Sequence, residues 1–107
     1  MEFTKSERKL LRELAATVYE AEAHQLLEEL DAEFARWRSG DRLSSELLHA
    51  IHEFHQHHSR ELWSSYRGLS DATVLERGLS MELIAEDDIP PAILAKLSPW
   101  PKRSRER

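Results

Sequence analysis

The first 39 residues contain neither glycine nor proline, and they are rich in the helix formers Leu, Ala, Glu and Arg. Thr4 followed by Glu7 has the spacing of an N-terminal capping box. Gly40 follows two cations near the end of the stretch and is typical of a helix C-terminus. The sequence therefore predicts one long helix ahead of Gly40.

A second amphipathic stretch runs from Leu47 to Arg67. We expect this helix to begin near Ser44, because Leu43 and Leu48 occupy the hydrophobic staple positions around that residue, and to end at Gly68. Only a few residues join the two helices. Short connections of this kind usually make neighbouring helices antiparallel, which predicts a helical hairpin.

After Gly68 the chain reads as shorter helices. One is predicted from Asp71 to about Ala85, where Gly78 and Ser80 leave open whether it is one helix or two. Another is predicted from about Pro91 to Leu97. The sequence thus predicts an all-α fold: an antiparallel hairpin of two long helices plus two or three short C-terminal helices, in a single domain over residues 1–98.

Residues 99–107 are predicted to be a disordered basic tail. The overall net charge is −5, which argues against nucleic-acid binding by the rest of the chain. The tail itself reads as a solvated end, with contact to nucleic acid as the weaker alternative. Its charged residues are Lys102, Arg103, Arg105, Glu106 and Arg107.

The chain has no cysteine, which excludes disulfides, thiolate metal sites and a cysteine nucleophile. No apolar run approaches the roughly 20 residues that span a bilayer, and the charged start has no signal-peptide pattern. We expect a soluble, cytoplasmic protein that makes no membrane contact.

The long helix carries two apolar stripes that lie on nearly opposite sides. A straight helix cannot place both against one neighbour, so it either kinks between residues 19 and 23 or is a rod about 50 Å long whose halves serve different cores. Nothing there breaks a helix, which favours the rod. The first stripe contains Leu10, Leu11, Leu14, Val18 and Ala21, and the second contains Tyr19, Ala23, Leu26, Leu30, Phe34 and Trp37.

Charge along the long helix suggests a homodimer. The helix begins basic and becomes acidic, so two antiparallel copies would place Arg8 near Glu33 and Arg12 near Glu29. Such an arrangement is self-complementary, as a two-fold interface requires. The alternative is that both faces are simply solvated. We expect two copies to form a helical bundle.

Five of the six histidines fall between residues 49 and 58. Rotation of about 100° per residue places His55 and His58 on the buried face of the second helix and the other three outside it. Histidine titrates near neutral pH and is a common metal ligand, so this cluster is the candidate chemistry of the chain. The outward histidines are His49, His52 and His57.

Two interpretations of the inner pair remain open. In the first, His55 and His58 bind zinc or another divalent transition metal, or respond to pH, with Glu20 and His24 as further ligands. In the second, which we favour, they are core histidines with hydrogen-bond partners and the protein has no cofactor.

The sequence carries no complete catalytic motif. The histidines around Glu53 lack the spacing of a zinc protease, and the single Glu46-x-x-His49 is one of the two such motifs that a di-iron bundle needs. We therefore predict a non-enzymatic protein-interaction or oligomerisation module. Trp63 is expected either to anchor a partner or to pack under the C-terminal helices.

Overall fold

The computed structural model describes residues 2–98 and contains only helices, turns and loops over that range. A five-residue π-helical turn joins α2 to α3, and a short 3₁₀ turn precedes α5. The elements in chain order are α1 (Lys5–Arg38), α2 (Ser44–Glu53), the π turn (Phe54–His58), α3 (Ser59–Tyr66), α4 (Asp71–Ser80), the 3₁₀ turn (Glu86–Asp88) and α5 (Pro91–Leu94). The all-α prediction is confirmed.

Helix α1 has the two ends that the sequence predicts. The Glu7 carboxylate accepts the Thr4 backbone N–H at 2.8 Å, and the Thr4 hydroxyl accepts the Glu7 N–H at 3.1 Å. Gly40 takes a φ of +92°, which glycine adopts without the clash of a side chain. The 34 residues between these ends form one uninterrupted helix.

The described residues separate into two compact units. Unit 1 contains residues 2–21 and 68–98, and unit 2 contains residues 22–67. The two stripes of α1 therefore serve different units, as their opposite orientation predicts. The predicted basic tail, residues 99–107, lies outside the described residues.

Unit 1 holds most of the buried apolar side chains. Leu11, Ala15 and Val18 repeat at helical spacing along the first part of α1. The other buried residues come from α4, from α5 and from the loop between them. They are Val74, Leu75, Ile84, Ile89 and Ile93, together with Gly78.

Helix α4 differs from its prediction at the C-terminal end. Ser70 caps its start by accepting the Thr73 N–H, and the helix stops at Ser80, about five residues earlier than expected. The interruption suggested by Gly78 and Ser80 falls at Ser80, the last helical residue, whereas Gly78 lies inside the helix and is buried. Helix α5 is also shorter than predicted and ends at Leu94.

Unit 2 has a much thinner core. Leu47 is its one buried residue among those described, at 6% exposure. Helix α2 starts at Ser44 as predicted, with the Leu43 N–H donating to the Glu46 carboxylate at 2.8 Å. The other large apolar residues of unit 2 that are shielded from solvent are only half-buried: Leu26, Leu30, Phe34, Ile51, Phe54, Leu62 and Tyr66.

Candidate protein-interaction surface

A π turn interrupts the predicted second helix and changes which side chains its later part buries. The Ser59 N–H donates to the Phe54 carbonyl, which closes a turn with one residue more than an α-helical turn. Residues after it are therefore rotated by roughly 100° relative to a continuous α-helix. This rotation brings Leu62 back toward the side of Leu47.

The same rotation explains an error in the sequence analysis. His55 and His58 are both exposed, so their placement on the buried face is wrong. The wheel that placed them there assumed an uninterrupted α-helix through residues 54–58. The three histidines predicted to face outward, His49, His52 and His57, are exposed as expected.

Three of the histidines, His24, His49 and His57, each lie near one carboxylate. His24 Nε2 lies 3.3 Å from the Glu28 carboxylate, and His57 Nε2 lies 3.5 Å from that of Glu53. The ring of His58 is tilted against Phe54 with 6.3 Å between centroids. Over residues 2–98, no three His, Asp or Glu side chains form a group that could hold a metal ion. The proposed ligands Glu20, His24, His55 and His58 thus form no such group, and metal binding stays a hypothesis.

One side of unit 2 carries a polar groove of about 320 Å³. At the groove, Arg42 Nη2 lies 3.0 Å from Glu33 Oε1, and both side chains are largely shielded from solvent. An ion pair shielded in this way is less screened by salt than a pair in open solvent. The remaining lining residues are Leu26, Glu29, Leu30, Glu46, His49, Ala50, Glu53, Phe54 and His58.

Helical geometry places three exposed apolar side chains on the side away from this groove, and we call them the apolar face: Leu27, Leu48 and Trp63. On α1, the groove residues Glu29 and Glu33 lie to one side of Leu30, and Leu27 lies to the other. On α2, Leu48 is rotated about 100° from Leu47 in the direction away from Glu46.

The π turn changes the direction of Trp63. In a continuous α-helix Trp63 would point about 60° from Leu48 on the side away from Leu47, and the rotation at the π turn places it about 40° from Leu48 on the side toward Leu47. The three side chains of the apolar face are each more than half exposed: Leu27 at 56%, Leu48 at 66% and Trp63 at 56%. Arg67 places its guanidinium 5.0 Å from the centroid of the Trp63 ring, a cation–π contact that leaves the indole accessible.

The structure places the predicted partner-binding residues in different settings. Arg8 donates to the Phe3 carbonyl at 2.8 Å, and Arg12 lies beside Lys5 and Lys9 on an open basic surface. Glu29 lines the polar groove, and Glu33 pairs with Arg42. Of the five predicted residues, Trp63 alone belongs to the apolar face.

Sequence reasoning missed Leu27 and misplaced Leu48. Leu48 was expected to pack as a hydrophobic staple residue, although it is exposed and its neighbour Leu47 is the buried one. Leu27 fell just outside the second stripe of α1. Each of these residues directly follows another leucine, in the pairs Leu26-Leu27 and Leu47-Leu48. Adjacent helical residues point about 100° apart, so only one leucine of each pair can face the core and the other is exposed.

Comparison with known proteins gives no relative: no family model, no curated protein and no solved structure matches this chain. Among the helices in the described range, none is both long and apolar enough to cross a membrane.

Proposed function

We propose that this protein is a non-enzymatic interaction module that associates with a second copy of itself through the apolar face. The observation that carries the proposal is the exposure of Leu27, Leu48 and Trp63 on one side of a unit whose described residues bury a single leucine. Large apolar side chains that are exposed on one side of a small domain mark a candidate association site. Aromatic anchors such as Trp63 contribute strongly to such sites.

The proposal includes an antiparallel hairpin within unit 2. Two hydrogen bonds at opposite ends of the unit support it. Tyr66 donates its hydroxyl hydrogen to Glu22 Oε1 at 2.7 Å, and Trp37 Nε1 donates to Ser44 Oγ at 3.0 Å. The first joins the end of α3 to the middle of α1, and the second joins the end of α1 to the start of α2. Two such hairpins facing each other make a four-helix bundle, which is a common solution for burying helix faces.

Charge favours a second copy as the partner. Residues 22–35 carry five carboxylates and no Lys or Arg, whereas residues 42–67 carry three arginines and five histidines against three carboxylates. A two-fold arrangement can set α1 of each copy beside α2 and α3 of the other. The acidic segment of each copy then lies beside a segment whose three arginines balance its three carboxylates, and not beside its own acidic counterpart, which avoids repulsion between like charges.

This interface differs from the pairing that the charges of α1 alone suggest. Glu33 already has Arg42 at 3.0 Å and Arg36 at 3.7 Å, so an intermolecular bond from Arg8 would have to compete with both. Exposed ion pairs contribute at most about 1 kcal/mol, whereas burial of one large apolar side chain contributes about 1.5–3 kcal/mol. The apolar face is therefore the stronger source of association.

Sedimentation velocity over a micromolar concentration series tests the proposal. We expect the wild-type chain to form dimers, and Leu48→Ser to raise the dissociation constant by about two orders of magnitude because two leucines leave each interface. Leu43→Ser is the matched control, since Leu43 is equally exposed at 69% but lies at the cap of α2. A wild-type chain that stays monomeric, or equal loss in both variants, would contradict the proposal.

A further inference from the structure

Unit 1 contains an open groove of about 700 Å³ between the end of α4, the loop that follows and α5. Its apolar lining consists mainly of four half-buried side chains, Leu79, Leu83, Leu94 and Leu97. Its polar lining is acidic and contains Glu76, Glu82, Glu86 and Asp88. The groove thus combines a leucine floor with a negatively charged rim.

The chain leaves the described residues at this groove. Leu97 and Ser98 are themselves lining residues, and the Ser98 N–H donates to Glu76 Oε2 at 2.6 Å. This bond fixes the point from which the next residues start. The sequence that follows is Pro99-Trp100-Pro101-Lys102-Arg103.

We propose that Trp100 of the same chain occupies the leucine floor and that Lys102 and Arg103 pair with the acidic rim. Trp100 is two residues from Ser98, so its Cα lies within about 7.6 Å of the Ser98 Cα. An indole offers a large apolar surface that suits a floor of leucines. Lys102 and Arg103 come two and three residues after Trp100, which is close enough for them to reach the acidic rim beside the leucine floor.

The prolines lower the entropic cost of this docking. Pro99 and Pro101 each fix their own φ, and each restricts the residue before it to extended conformations. Few conformations are therefore lost when Trp100 is held in place. Attachment to Ser98 also gives the segment a high effective concentration at the groove, which favours the chain's own tryptophan over one from a second copy.

Fluorescence of the full chain tests the proposal. In a background with Trp37→Phe and Trp63→Phe, Trp100 is the only tryptophan. We expect its emission at shorter wavelength than that of a peptide of residues 97–107, and acrylamide quenching severalfold weaker than in the peptide. Both properties should be independent of protein concentration, because the contact forms within one chain.

Two variants test whether Trp100 is protected by the leucine floor and by the charges of the tail. Leu83→Ser alters the floor, and the pair Lys102→Glu with Arg103→Glu reverses the tail charges without changing any described residue. Each should return Trp100 quenching toward that of the peptide. The pair Lys5→Glu with Lys9→Glu, two exposed cations on α1, is the control and should leave quenching unchanged.

Three results would overturn the proposal: quenching in the parent chain equal to that of the peptide, protection that disappears on dilution, or protection that survives both variants. Quenching equal to that of the peptide would mean that Trp100 does not occupy the groove. Protection that disappears on dilution would mean that Trp100 of a second copy occupies it. None of them bears on the apolar face of unit 2, so this inference and the proposed self-association can fail separately.

Discussion

Gly78 of α4 packs directly against Val18 of α1, and a Cβ atom at residue 78 would lie 2.9 Å from both Cγ atoms of Val18. Val18 has no exposed surface, and its β-branched side chain has little rotational freedom. Neither residue can therefore shift to make room for a Cβ atom at residue 78. It explains why a helix-disfavouring residue occupies the interior of α4.

We predict that Gly78→Ala lowers the free energy of unfolding. Alanine improves helix propensity by about 1 kcal/mol, but overpacking in a filled core costs about 1–3 kcal/mol. In a Val18→Ala background the clash is removed, so the same substitution should become neutral or stabilising. Urea unfolding of the four chains in this double-mutant cycle gives the coupling. If Gly78→Ala stabilises the wild-type background, the close packing does not exist.

The contacts of Glu7 predict that the protein loses stability at acid pH. A hydrogen bond from Lys96 Nζ at 2.7 Å, assisted by the Thr4 N–H, lowers the pKa of Glu7 below its ordinary value of 4.5. The folded state therefore favours the carboxylate. Its contribution to stability is fully present above pH 4.5 and is lost as the pH falls through the lowered folded pKa.

The measurement is urea unfolding between pH 7 and pH 3 for the wild-type chain and for Glu7→Gln. The variant should be less stable at pH 7 and should lose less stability on acidification. Glu13→Gln, a change at an exposed glutamate further along α1, serves as the control. An identical pH profile for Glu7→Gln and the wild-type chain would refute the role of the Lys96 contact.

The hydrogen bond from Tyr66 to Glu22 predicts the effect of removing one hydroxyl. Tyr66→Phe keeps the ring and removes the donor, and we expect a loss of about 1–2 kcal/mol because the acceptor is a carboxylate. Thermal unfolding measures this loss. If the hydrogen bond to Glu22 causes this loss, Tyr66→Phe should lower stability much less in a Glu22→Gln background. An equal loss of stability in both backgrounds would count against the contact.

The π turn can be tested by deleting Gln56. One residue fewer lets residues 54–58 continue as an α-helix, and the lost residue offsets the rotation of the π turn, so Leu62 and Tyr66 keep facing the side of Leu47. We expect the helical circular dichroism and the melting temperature to stay close to those of the wild-type chain. A large fall in melting temperature would show that the orientation of α3 does not come from the one extra residue of the π turn.

The ends of the helices could be predicted because the signals there are local. Thr4 and Glu7 need only three residues to form their cap, and Gly40 and Gly68 supply the positive φ that follows a helix, at +92° and +83°. The uninterrupted α1 follows in the same way from 39 residues without a helix breaker.

The positions that sequence reasoning placed wrongly depend on contacts between distant residues. Residues 54–58 contain no glycine or proline, so nothing local marks the π turn that exposes His55 and His58. Gly78 alone indicates a helix break, because the sequence does not show its contact with Val18, sixty residues earlier. For the candidate surface, Trp63 could be named in advance, whereas its direction relative to Leu48 depends on the π turn.

The environment of Trp63 tests the proposed self-association most directly. In a chain with Trp37→Phe and Trp100→Phe, we predict that Trp63 emission shifts to shorter wavelength as the concentration rises, along the same curve as dimer formation measured by sedimentation. Dimers that form while Trp63 stays fully accessible to acrylamide would contradict the account, because association would then use another surface.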